Sequence, residues 1–431
     1  MRLLAPAGGM EQLRMALHFG ADEVYLAGHE WGMRARSQNF SREELAQAVA
    51  LAHGAGASVH LTLNVLMVDR DLDRLPDYLA YVDRIGVDAA IVADLGALSL
   101  LRRHAPHVQV HVSTQASVMN AQTAEEYARL GARRVVLARE LTLDQIADIR
   151  RRLDADGFGD LELEVFAHGS MCMAVSGRCL LSSDLVGLER AANFGACTQP
   201  CRWSWTLVEE ERPDRRRMPL EWDGRYSYLL SSNDLEMLDH LDDLAKAGVD
   251  AIKLEGRAKG AFYTAMVTNA YRQVLDGAPA RDWMGELETT SHRPFSNGFF
   301  YGNPTQNPGD VDYLRERLMV ATVVACLPLG TVGEGDLPTD SPGATDKQGA
   351  ATSGEAAAWL VEVLCRNKAG LGDRLEAVCP GRPVRALTLA GLQWWNGEAG
   401  AWEGVGTMAR AMDRYRLRAP FPLDAGDILR V

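Results

Sequence analysis

Four of the chain's seven cysteines fall in one segment: Cys172, Cys179, Cys197 and Cys201. Their spacing is C-x6-C-x17-C-x3-C. A thiolate is a soft anionic ligand, and four of them complete the ligand set of a structural zinc ion or of an iron–sulfur cluster. The spacing matches neither the paired C-x2-C knuckles of a zinc ribbon nor a ferredoxin run. It therefore points to metal and leaves zinc and iron–sulfur both open. Four half-buried thiols stabilising a loop is the plainer alternative. Gly169, Gly177 and Gly195 would let the backbone turn and offer N–H groups to sulfur. His168 stands four residues before Cys172, so a Cys–His nucleophile is a further option. No H-E-x-x-H and no G-x-S-x-G motif supports a hydrolase.

These residues need a scaffold, and the first 260 residues repeat one unit. A helical stretch closes at a Gly, and a short apolar strand follows: Gly20-Ala21-Asp22, Gly86-Val87-Asp88, Gly131-Ala132-Arg133, Gly248-Val249-Asp250. Eight strands are expected, at 3–7, 23–27, 58–64, 89–94, 108–115, 134–140, 161–168 and 251–255. Most are continuous apolar runs, as parallel strands covered on both faces require. Eight β/α units predict a TIM-type (β/α)8 barrel, with a doubly wound open sheet as the alternative. The cysteines lie in an insertion, at about 169–230, before the last strand. Loops after strands open on the C-terminal, catalytic face of this fold. The barrel is expected over 1–317. A small all-β barrel or sandwich is expected over 318–431, with a flexible Gly/Asp/Ser-rich loop at about 330–355. Cys326, Cys365 and Cys379 sit in its apolar strands and read as core thiols.

Polar residues at the strand ends are the other site candidates. Asn64, Gln115, Glu140, His168, Glu255 and Arg257 would ring the barrel mouth. Lys253 and Glu255 alternate with Ile252 and Leu254, so both would point into the barrel. A buried Lys253 would need an anion. Arg257 could grip a carboxylate, or simply pair with Glu255. Arg34 follows the second strand and could meet phosphate or carboxylate; solvated surface is its plainer role. Asn233 and Asp234 are expected to cap a helix.

The 431 residues carry 45 Lys and Arg against 58 Asp and Glu, a formal charge of −13. This excludes a broad basic face for nucleic acid but not a local contact. The start Met1-Arg2-Leu3-Leu4-Ala5-Pro6 lacks the pattern of a secretory signal, and no apolar run is long enough to span a bilayer. A cytoplasmic protein without membrane contact is expected. In a reducing compartment an odd number of cysteines favours metal over disulfides.

Longer stretches carry a resemblance. Ala167-His-Gly-Ser-Met-Cys-Met-Ala-Val-Ser-Gly-Arg-Cys-Leu-Leu-Ser182 is similar to the signature of the collagenase-like peptidases of family U32. Gly195-Ala-Cys-Thr-Gln-Pro-Cys-Arg-Trp203, Ser232-Asn-Asp-Leu235, Ile252-Lys-Leu-Glu-Gly-Arg257, Leu4-Ala-Pro-Ala-Gly8 and Ser291-His-Arg-Pro-Phe-Ser-Asn-Gly-Phe299 continue it. The chain most resembles the tRNA-hydroxylating branch of that family. The resemblance implies a [4Fe–4S] cluster on Cys172, Cys179, Cys197 and Cys201, rather than zinc. It implies oxygen-independent, prephenate-dependent hydroxylation of a tRNA wobble uridine to 5-hydroxyuridine. The expected partners are tRNA and a small-molecule carboxylate donor, with room for a homologous or redox partner protein. A U32-type peptidase and a non-catalytic cluster-binding module are the alternatives.

Overall fold

The computed structural model describes residues 1–32, 38–171, 181–187, 190, 196–200, 232–302, 314–331 and 359–431. Arg34, Cys172, Cys179, Cys201 and nearly all of the 330–355 loop lie outside the described residues. Contacts between Cα atoms divide the chain into two compact units, Met1–Leu314 and Arg315–Val431.

The first unit is a closed barrel. Its parallel strands are β1 (Arg2–Pro6), β2 (Glu23–Leu26), β3 (Ser58–Leu63), β4 (Ala89–Val92), β5 (Gln109–Val112), β6 (Ala132–Val136), β7 (Glu162–Ser170) and β9 (Ala251–Leu254). Each pairs in parallel with the next, β7 pairs with β9, and β9 returns to β1. Alternate residues such as Leu3, Val24, Leu61, Val110, Leu163 and Ile252 join one large apolar cluster with the surrounding helices. Helices start where side chains satisfy their first N–H groups: Ser41 and Thr142 each form a capping box, with Glu44 and Gln145. They stop at left-handed glycines. Gly20, Gly86, Gly131 and Gly248 all have φ between 82 and 90°, a conformation that lets the next strand begin at once.

Two short strands break the regular pattern. β7 runs past the barrel and pairs antiparallel with β8 (Asp234–Glu236), and β10 (Phe295–Ser296) adds to β8. Asp234 therefore opens a strand and caps no helix: its N–H donates to Pro294 O, and its Oδ2 accepts from Arg293 N at 3.2 Å. The chemistry that suits Asp to a helix start, accepting from a backbone N–H, here fixes one strand to the segment beside it.

The second unit is an eight-stranded antiparallel sheet. Its order is Arg385–Thr388, Arg374–Val378, Ile428–Arg430, Met319–Pro328, Trp359–Cys365, Arg414–Ala419, Ala390–Asn396, Ala401–Gly404. Val320, Val361, Val363, Leu375, Tyr415, Leu417 and Leu429 form its core. Cys365 and Cys379 are buried there, and burial pushes the Cys379 thiol up to about 12, so it packs as an inert apolar group.

Candidate active site at the barrel mouth

The strands' C-terminal ends bring most of the expected residues to one face. Asn64 follows β3, Gln115 sits in the turn after β5, Glu140 follows β6, His168 lies on β7, and Glu255 and Arg257 follow β9. Asn64, Glu140 and Glu255 are half-buried; Gln115, His168 and Arg257 are buried. Asp94, another strand-end residue, caps the helix Leu95–His104 by accepting from Ala97 N at 3.0 Å.

Lys253, on β9, and Glu255, just past its end, both reach Tyr25. Lys253 Nζ lies 3.4 Å from Glu164 Oε1 and 4.2 Å above the centre of the Tyr25 ring. Tyr25 in turn donates to Leu254 O at 2.9 Å, and its hydroxyl lies 3.3 Å from Glu255 Oε2. Burial pushes the Lys253 ammonium below its ordinary pKa, and Glu164 opposes that shift. The anion that Lys253 requires is therefore Glu164. Arg257 acts through its backbone as well: its carbonyl passes so close to Gly8 that a Cβ there would meet the oxygen at 2.0 Å. This explains the Gly in Leu4-Ala-Pro-Ala-Gly8.

His168 is fixed by aromatic neighbours. Its ring packs against Tyr263, Tyr271 and Phe295, and Nδ1 lies 3.4 Å from the Tyr271 hydroxyl. Burial, with His292 and Lys259 nearby, pushes its pKa down to about 3. It is a neutral hydrogen-bonding group at physiological pH and not a source of imidazolium protons. Opposite it in register stands Glu236 of β8. Burial pushes that carboxyl up to about 7, although it accepts a hydrogen bond from Leu238 N. A carboxyl balanced near neutral pH beside a mouth is a candidate general acid or base. It escaped sequence reasoning because it lies on a three-residue strand with no periodic signal. Tyr25, Tyr271 and Arg139 were missed too. Arg139 donates to Ser170 O at 2.9 Å, two residues before Cys172, and stacks on Phe166.

Of the cysteine set, only Cys197 is described. It is half-buried, and Gln199 N–H donates to its Sγ at 3.3 Å. An N–H···S bond of this kind stabilises a thiolate and suits a cluster ligand. Ser182, three residues after Cys179, is buried and hydrogen-bonds to both the Thr198 N–H and its hydroxyl at 3.0 Å. The helix Leu181–Val186 is thereby tied to the residue after Cys197. Just past β7, Ser232 donates to Met171 O at 2.8 Å. The Gln199 N–H on the Cys197 sulfur fits a thiolate ligand of a cluster; Cys172, Cys179 and Cys201 lie outside the described residues.

The family model described as peptidase family U32 matches residues 8–309. Among curated relatives, tRNA hydroxylation protein P1 of Bacillus subtilis is 36% identical over 70% of this chain and 71% of its own. A Methanocaldococcus jannaschii protein named only as an uncharacterized protease is 40% identical over 71% of this chain and 74% of its own. The tRNA hydroxylation protein P of Escherichia coli is 29% identical over 92% and 90%. With the family signature matched across the whole barrel unit, the chain belongs to peptidase family U32.

Proposed function

We propose that this protein is an RNA-modifying hydroxylase that places a hydroxyl group on C5 of a tRNA wobble uridine, using a [4Fe–4S] cluster on Cys172, Cys179, Cys197 and Cys201. The observation that carries the reading is where β7 hands over to the cysteine segment, at the C-terminal mouth of the barrel. Cys172 follows the end of β7 by two residues, and His168, Glu236 and Arg139 lie at that strand end; the tRNA hydroxylation proteins of Bacillus subtilis and Escherichia coli match 70% and 92% of this chain. Among the described residues the mouth shows no Ser or Cys nucleophile paired with a protonatable His: burial holds His168 neutral, and its Nδ1 lies 3.4 Å from the Tyr271 hydroxyl. That favours modification over the proteolysis the family name implies.

Replacing C5–H by C5–OH is a two-electron oxidation. With a hydroxylated carboxylate of the prephenate class as donor, the exchange balances as R–OH + C5–H → R–H + C5–OH. The cluster would supply electron transfer. This chain's own residues would bind and orient. Arg257 would receive a donor carboxylate at the mouth, with the Lys253–Glu164 pair beneath it, and Arg34 follows β2 in the sequence. Glu236 is the group suited to hold the C5 proton, because its carboxyl changes state near neutral pH. Asn64, Gln115 and Glu140 ring the same face and would order the base. A cytoplasmic location follows from the tRNA substrate. Among the described residues no helix is long and apolar enough to cross a membrane.

Anaerobically reconstituted protein, unmodified tRNA and prephenate provide the test. Nucleoside mass spectrometry should show 5-hydroxyuridine that depends on both the cluster and prephenate. Peptide hydrolysis by the same preparation, with the nucleosides unchanged, would reverse the assignment.

A further inference from the structure

The inside of the barrel is unusual for its fold. Inward side chains of a (β/α)8 barrel stack in layers, four to a layer from alternate strands, and are mostly branched aliphatics. Here β3, β5 and β7 send in His60, His111 and Glu164, and strand alternation makes Leu4 of β1 the fourth member. All three polar residues are at most 2% exposed. One ligand atom from each lies within 4.8 Å of the others. The two rings meet edge to face at 4.7 Å.

The hydrogen-bond accounting inside this layer does not close. Both ring nitrogens of His111 and Nδ1 of His60 have no hydrogen-bond partner, and Oε1 of Glu164 meets the Lys253 ammonium at 3.4 Å. Buried polar atoms are nearly always satisfied, so three orphaned ring nitrogens in one layer call for a missing partner. A neutral imidazole offers a lone pair to a cation. Glu164 is oriented for the task. Its Oε2 accepts from Arg134 at 2.9 Å and its Oε1 lies 3.4 Å from Lys253 Nζ, so both neighbours fix the carboxylate in the layer it shares with the histidines.

We propose that His60, His111 and Glu164 bind one first-row divalent cation inside the barrel, at a centre separate from the cysteines. Two imidazoles and a carboxylate are a common ligand set for zinc and non-haem iron. Bonds of about 2.0–2.2 Å would draw the three donor atoms together by roughly an ångström. Charge permits it. Three carboxylates, Glu23, Glu162 and Glu164, face two buried cations, Arg134 and Lys253, and Arg2 adds a charge only at the half-exposed rim. The ligands come from three separate β/α units, so the ion would cross-link the barrel wall beneath the mouth.

Crystals of the full chain soaked in Zn2+ and measured on both sides of the zinc absorption edge test this. The expected result is an anomalous peak about 2.0–2.2 Å from one nitrogen of each histidine and from Glu164 Oε1. Ordered water alone between the imidazoles, with zinc only at the cysteines, overturns the proposal. In solution, His111→Gln keeps a polar side chain of similar length and should lose about one zinc equivalent in equilibrium dialysis, while the thiolate-bound metal stays. An unchanged zinc count overturns it as well. Should that variant fail to fold, the soak of the unmodified protein decides alone.

Discussion

Replacing Arg134 by Met probes what holds the barrel shut around its charged interior. Arg134 is 1% exposed and carries the whole network. It donates to Glu23 at 2.6 and 2.8 Å, to Glu164 at 2.9 Å and to Glu162 at 2.8 Å. Methionine keeps much of the volume and removes every donor. Breaking a buried ion pair from one side costs roughly 3–5 kcal/mol, because the partner charge stays behind. Glu164 retains Lys253, and Glu23 retains Arg2 at 3.3 Å, so the loss should fall near the lower end, about 3 kcal/mol. Urea unfolding followed at 222 nm reports on this unit, because all the described α-helices belong to it. The pH dependence gives a second reading. Carboxylates stripped of their guanidinium in a buried site have folded pKa values above their unfolded values. Their contribution is fully present below the unfolded pKa and is lost as pH rises through the folded one. The deficit of the Met variant should therefore be small near pH 4.5 and grow toward pH 8. A loss under about 1 kcal/mol, or one that does not vary with pH, would show that the network is not what stabilises the barrel.

Further substitutions test the mouth. Glu236 has a carboxyl raised to about 7, so its contribution to stability is present below about pH 4.5 and disappears as pH rises through 7. Glu236→Gln should be the more stable protein at pH 8 by on the order of 2 kcal/mol, and that advantage should vanish by pH 4.5; the same variant should lose hydroxylation at every pH. Gly169→Ala places a methyl 2.5 Å from Glu255 O at a φ of 104°. It should destabilise by roughly 2–3 kcal/mol and lower cluster content, read as iron and sulfide per chain, because Cys172 follows three residues later. Cys197→Ser should remove the brown chromophore and leave the helical circular dichroism signal intact; a full iron count in that variant would discard Cys197 as a ligand.

What could be read from the sequence follows from the physics of each element. The eight barrel strands were legible because parallel strands buried on both faces are continuous apolar runs, and because Gly20, Gly86, Gly131 and Gly248 mark where a helix must hand over to a strand. Strands β8 and β10 were not. Two or three residues carry no period, and Asp234 has the chemistry of a cap as well as of a strand start. Lys253 and Glu255 were expected to face inward together, and both reach Tyr25. Their principal partners, Glu164 and Tyr25, lie on distant strands and could not be paired without the barrel's register. The interior histidines carried a faint signal, polar residues at inward positions of otherwise apolar strands. Nothing in their spacing, 51 residues apart, shows that they meet. Arg34 and three of the four cysteines lie outside the described residues, so their places at the mouth are expectations.

The most direct measurement is the wobble-uridine content of tRNA from cells lacking this gene and from the same cells carrying either the wild-type chain or Cys197→Ser. The account predicts that 5-hydroxyuridine disappears on deletion, returns with the wild-type chain and does not return with the serine variant. Unaltered 5-hydroxyuridine after deletion, or full recovery with the serine variant, would contradict it.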